Sequence, residues 1–205
     1  MKRSILILLV IFFVLDQCII VLHLEQNWRF LTKPLLMPIL FFYYYCSVPR
    51  TNILFSLGLA MSFLGDLFLL FSAGFIAGLS SFLLAHILYI LTFRQYYQKT
   101  HIIYIPCIIV FIISLFSFLY PHLGTMKIPV LLYAITIGAM LYFALGTKQK
   151  WLIIGALLFV LSDSILAINI FHTHSTISSL SVMIFYVLAQ YCLTQGMIDK
   201  QNISH

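Results

Sequence analysis

The chain of 205 residues carries only five acidic side chains, and three of them, Asp16, Asp66 and Asp163, lie inside long apolar runs. An ionisable group at bilayer depth costs about 2.5–3.5 kcal/mol on insertion scales and is usually found facing a cavity or a partner. Asp66 and Asp163 form a matched pair. Gly58 precedes Leu64-Gly65-Asp66 and Gly155 precedes Leu161-Ser162-Asp163, each glycine eight residues before its aspartate, with the aspartates 97 residues apart. Two carboxyls brought together in an apolar cavity cannot both carry charge, which leaves an acid beside a base. The alternative is hydrogen bonding that only fixes helix packing. Asp16, beside Gln17, is open to either a structural or a supporting role.

Other polar groups accompany them. His86 shares a helical stripe with Phe82 and Tyr89. No second histidine stands three or four positions away within an apolar run, and His172 and His174 fall in a connection, so no metal is expected. Tyr186 and Gln190 are four apart on one face, and Asn169 lies near the end of the preceding run. Lys33 can snorkel to an interface, where it either meets a lipid phosphate or anchors its helix.

The elements that must hold these groups follow from composition. With 63% hydrophobic and 8% charged residues and a mean hydropathy of +1.10, the chain is an integral membrane protein. Long apolar runs, rather than weak alternation, exclude a transmembrane barrel and leave an all-α polytopic bundle. The net charge of +6 is scattered singly among connections and makes no stripe for nucleic acid. Cys18, Cys46, Cys107 and Cys192 lie in apolar runs without metal or disulfide spacing. The lead segment lacks a small-residue cleavage site and reads as an uncleaved first helix.

About eight transmembrane helices are expected, near 4–24, 33–47, 52–72, 75–95, 101–119, 127–146, 150–171 and 176–198, within one domain over 1–205. Pro34 suits a first helical turn, whereas Pro38 is expected to kink the second span. Recurring landmarks point to a 4+4 duplication with halves at 1–99 and 100–199. Lys33-Pro34 opens the second span and Lys127-Ile128-Pro129 the sixth, while Ala85-His86 lies in the fourth and Ala189-Gln190 in the eighth. Alternating the connections puts eight of the 11 basic residues on the side of the termini, which places both termini in the cytoplasm. In a bacterial cell the membrane is the inner one.

Taken in order, Lys33-Pro34, Gly65-Asp66 with Leu67-Phe68-Leu69, His86 with Tyr89, Gly155-Ala156-Leu157-Leu158-Phe159 leading to Ser162-Asp163-Ser164, and Tyr186 with Ala189-Gln190 resemble the YhhN family of lysoplasmalogenase-like membrane proteins. The resemblance extends from about residue 30 to 198, and the stretch Gly155 to Asp163 is its most specific part. It implies hydrolysis of the vinyl ether bond of a lysoplasmalogen to a fatty aldehyde and a glycerophospho-ethanolamine or glycerophospho-choline. The expected partners are that lysophospholipid and membrane lipids.

Enol ether cleavage begins with protonation of the β-carbon, so paired carboxylates suit it and no cofactor is required. Asp66 and Asp163 are the expected catalytic pair, with their roles undivided. Lys33, His86, Tyr89, Asn169, Tyr186 and Gln190 are the expected substrate-binding groups. Two other readings stand beside this one: a small transporter or lipid carrier built on the same duplicated bundle, and a metal-dependent lipid hydrolase.

Overall fold

A computed structural model describes residues 2–22, 26–71 and 73–203. The described residues are helical throughout their regular structure, with no strand among them. The helices are α1 (Lys2–Val21), α2 (Arg29–Thr32), α3 (Leu36–Tyr45), α4 (Ile53–Phe68), α5 (Phe75–Gln95), α6 (Tyr104–Leu119), α7 (Lys127–Gly146), α8 (Lys150–Phe171) and α9 (Thr176–Ile203). In hydrocarbon each backbone N–H and C=O must be satisfied within its own segment, and a helix does this.

Six of the helices are long and apolar enough to cross a membrane: α1, α5, α6, α7, α8 and α9, with α6 and α7 lengthened by short 3-10 turns. This is a multi-pass integral membrane protein. The third expected span appears as α4, a 16-residue apolar helix. Its start is set by Asn52, whose side chain accepts hydrogen bonds from the amides of Leu54 and Phe55. Residues 23 and 24 of the first expected span and residue 72 of the third lie outside the described residues.

The second expected span differs most. After a 3-10 turn at Gln26–Trp28, α-helical structure starts at Arg29, is interrupted by a second 3-10 turn at Lys33–Leu35, and resumes as the ten-residue α3. Pro34 sits in that turn and Pro38 in the first turn of α3, where a missing amide proton costs no intrahelical bond. The break therefore falls before Pro38 rather than as a kink at it, and the turn carries Lys33 into the interior.

Two antiparallel pairs, α4 with α5 and α8 with α9, make the most extensive helix contacts. Each is closed by a glycine. A methyl group at Gly58 would collide with the Tyr89 ring, and one at Gly155 would lie 2.7 Å from Leu193. The α7 helix packs on both α5 and α8, whereas α6 rests on α7 and touches α8 more lightly. The exterior is apolar, with Ile53, Val110 and Ile128 exposed, and the interior holds Asp16, Asp66, His86 and Gln190. That inverted polarity places the few polar groups where only one another can satisfy them.

Candidate active site

The two pairs meet at the centre of the bundle through side chains. Asp66 lies in the last turn of α4 and is 1% exposed. Tyr186 of α9 donates a hydrogen bond to Asp66 Oδ2 at 2.7 Å, and Lys33 Nζ stands 3.4 Å from Oδ1. Lys33 is itself buried. It faces Asp66 rather than an open interface, so the ammonium expected to meet a lipid phosphate is engaged as a buried counter-ion.

Asp163 of α8 has different company. Tyr133 of α7 donates to Asp163 Oδ2 at 2.6 Å. His86 Nε2 lies 3.7 Å from the same oxygen, beyond hydrogen-bond range. The His86 ring is fully buried edge-on against Tyr133 and Phe159, and neither of its nitrogens has a hydrogen-bond partner. Among the described residues no Lys or Arg reaches Asp163.

A layer of packed rings runs from the surroundings of one carboxylate to those of the other. Phe159 packs on His86 at 4.6 Å and on Tyr186 at 5.6 Å between centroids, while Phe82 packs on Tyr186 at 5.8 Å. Asp163 and Tyr133 together line two cavities of about 50 Å³ each. One opens between α5, α7 and α8 toward Phe75 and Phe171, and the other lies between α6, α7 and α8. Since a water needs roughly 10–15 Å³ of such space, each has room for one or more. Asp66 lines neither cavity.

The remaining expected residues divide. Tyr89 donates to Gln190 Oε1 at 2.9 Å, and Gln190 Nε2 donates to Ser62 Oγ at 2.9 Å, all three side chains being buried. This closed network ties α4, α5 and α9 and has no face on either cavity. Asn169 accepts from the Ser175 amide and donates to Ser179, so it fastens the α8–α9 connection. Asp16 is bonded by Arg29 and Thr32 and secures α1 to the broken segment.

Tyr133 and Ser62 escaped the sequence reading. Ser62 stands four residues before Asp66, a spacing that puts it on the same face of α4. Tyr133 carries no comparable signal, because its partner is 30 residues away on the next helix.

The model of the YhhN family matches residues 28–197, which include all the candidate site residues. This chain belongs to the YhhN family. Among curated relatives, lysoplasmalogenase TMEM86B of Rattus norvegicus is 30% identical over 174 residues, covering 83% of this chain and 72% of the rat protein. Lysoplasmalogenase TMEM86B of Homo sapiens is 33% identical over 143 residues, covering 66% of this chain and 59% of the human protein. The YhhN chain thus spans less than two thirds of the human protein's length. No solved structure matches it significantly. The YhhN match begins just before Arg29, so it takes in the broken segment that delivers Lys33 and leaves α1 outside.

Proposed function

We propose that this YhhN protein is a membrane-embedded hydrolase of lysoplasmalogenase type, cleaving the vinyl ether bond of a lysophospholipid to a fatty aldehyde and a glycerophosphodiester. The observation that carries the proposal is the asymmetry of its two buried aspartates, one ion-paired with Lys33 and one facing water-sized cavities without a cation, in a chain whose curated relatives are named lysoplasmalogenase.

The asymmetry divides the labour. Asp163 gives its proton to the β-carbon of the enol ether, and an oxocarbenium-like cation forms at the α-carbon. The Asp163 carboxylate then takes a proton from a water in the adjoining cavity as that water attacks the cation. This restores the acid and leaves a hemiacetal, which collapses to aldehyde and alcohol. One water is consumed in all. Asp66, on the far side of the ring layer and held in place by Lys33 and Tyr186, contributes an oriented carboxylate–ammonium dipole that helps stabilise the developing positive charge. Tyr133 orients the donor oxygen, and His86 shapes the wall beside it.

Purified protein in detergent, offered vinyl ether, ester and alkyl ether lysolipids and analysed by mass spectrometry, tests the reading. Free aldehyde from the vinyl ether substrate alone is expected, insensitive to chelators. Release of fatty acid from the ester instead would overturn it, as would lipid movement in sealed vesicles without any product.

We further infer that α4 and the broken α2–α3 segment complete eight membrane segments arranged as a 4+4 duplication. Gly58 and Gly155 occupy corresponding places in the two pairs, and this supports the reading. Both termini on the cytoplasmic side is the matching topology, to be checked with reporters fused at each end.

A further inference from the structure

The cavity between α6, α7 and α8 that Asp163 and Tyr133 line adjoins another. It shares Phe111, Ile112, Ile137 and Val160 with a larger cavity of about 460 Å³ that runs between the same helices to Tyr104 and Leu145. Measured along α7 from Tyr133 to Leu145, twelve residues at 1.5 Å each, the path is about 18 Å long. One leaflet of a hydrocarbon core about 30 Å thick is about 15 Å deep, the reach of one lipid chain. No charged side chain lines the larger cavity. A polar occupant would lose its hydrogen bonds to water there and gain almost none.

Two further observations identify what fills it. Leu157 and Leu161 on α8 are 50% and 42% exposed, and α6 touches α8 only lightly, so the cavity is open sideways to bilayer lipid. Its opposite limit is a carboxyl and a tyrosine hydroxyl bonded together, with Ser164 beside them. A molecule that fits has a long hydrocarbon chain entering from the bilayer and a reactive polar junction at its head.

We propose that this cavity is the subsite for the hydrocarbon chain of the lysolipid, with the first two carbons of the alkenyl chain at Asp163 and the terminal methyl near Tyr104 and Leu145. The glycerol and headgroup then leave on the other side of Asp163, past Phe75 and Phe171, because the cavity there is too small and too apolar to house a phosphodiester. The position of the first carbons rests on the vinyl ether reading, whereas the path of the chain does not.

The test uses a lysophospholipid carrying a photoreactive diazirine at its terminal methyl, with full-length protein in nanodiscs and labelled peptides mapped by mass spectrometry. Label is expected to concentrate on α6 around Tyr104–Ile108 and on α7 around Leu141–Leu145. Leu145→Trp, which shortens the far end, is expected to lower the ratio of long-chain to short-chain kcat/KM about tenfold. Label spread evenly over the lipid-facing helices, α1 included, marks ordinary bilayer lipid and overturns the proposal, as does an unchanged ratio. If wild-type protein releases no aldehyde from any vinyl ether lysolipid, the functional reading falls while the label distribution still decides the subsite.

Discussion

Asp66 and Asp163 hold corresponding positions on α4 and α8, yet their surroundings diverge. At Asp66 a lysine and a tyrosine close around the carboxylate and exclude solvent space, giving a buried ion pair. At Asp163 a tyrosine bonds one oxygen, an unbonded histidine stands nearby, and two cavities adjoin. The difference originates in the segment that precedes each aspartate's helix. The segment before α4 is broken at Pro34 and turns Lys33 inward, whereas α7 starts at Lys127 and runs unbroken, with Lys127 lying over the Tyr120 ring and Tyr133 delivered to the aspartate instead. Similar starting patterns therefore yield an ion-paired carboxylate on one side and a carboxyl beside open space on the other.

The comparison is broken most directly by removing each carboxylate in turn. Asp163→Asn, which keeps the shape and removes the transferable proton, is expected to lower kcat for aldehyde release about 1,000-fold in protein that still inserts and purifies normally. Full retention of activity would end the assignment of Asp163 as donor.

Asp66→Asn is expected to lower kcat about 100-fold and to differ in kind. It strands the Lys33 ammonium in the interior, so a loss of roughly 3 kcal/mol in stability accompanies it, seen as a lower midpoint in a detergent unfolding series. The double variant Lys33→Met/Asp66→Asn removes both charges and should regain most of that stability while remaining impaired in turnover. Equal stability losses for the Asp66 and Asp163 single variants would contradict the anchor-and-donor distinction.

The two tyrosines sharpen the contrast at smaller scale. A hydrogen bond to a charged group contributes about 1.5–3 kcal/mol. Tyr133→Phe leaves Asp163 beside cavities that water can enter, so it is expected to cost about tenfold in kcat with little change in stability. Tyr186→Phe leaves Asp66 with no replacement donor, and its main effect should be about 2 kcal/mol of stability.

The sequence reading reached the fold class and the polar inventory because both depend on composition and local spacing. Twenty-residue apolar runs declare themselves without tertiary information, and an aspartate inside one is conspicuous. Long-range pairings were not legible in the same way. Lys33 reads as an interface lysine until the 3-10 turn at Lys33–Leu35 rotates it inward. Tyr133 was one tyrosine among 12, with nothing in its neighbours to mark it. Tyr89, Asn169 and Gln190 read as substrate-binding groups because a polar residue in a bilayer usually faces a cavity or a partner, and the partners that the structure gives them, one another or the α8–α9 connection, lie far away in sequence or across a turn.

That last distinction yields the smallest expected effect. His86 and Gln190 each follow a fully buried alanine on the second helix of their pair, yet Gln190 is bonded at both ends of its amide and His86 at neither nitrogen. Truncating a bonded buried amide strands its partners, whereas removing an unbonded ring strands nothing. Gln190→Leu is thus expected to cost about 1 kcal/mol of stability and leave kcat/KM within about twofold, because Gln190 lines neither of the cavities beside Asp163. His86→Leu should leave stability unchanged or raised, and any loss of turnover it causes must come from the Asp163 side of the ring layer. If Gln190→Leu instead changed headgroup or chain-length preference, the Ser62–Tyr89–Gln190 network would have to face substrate, and the site would extend through the ring layer to both aspartates.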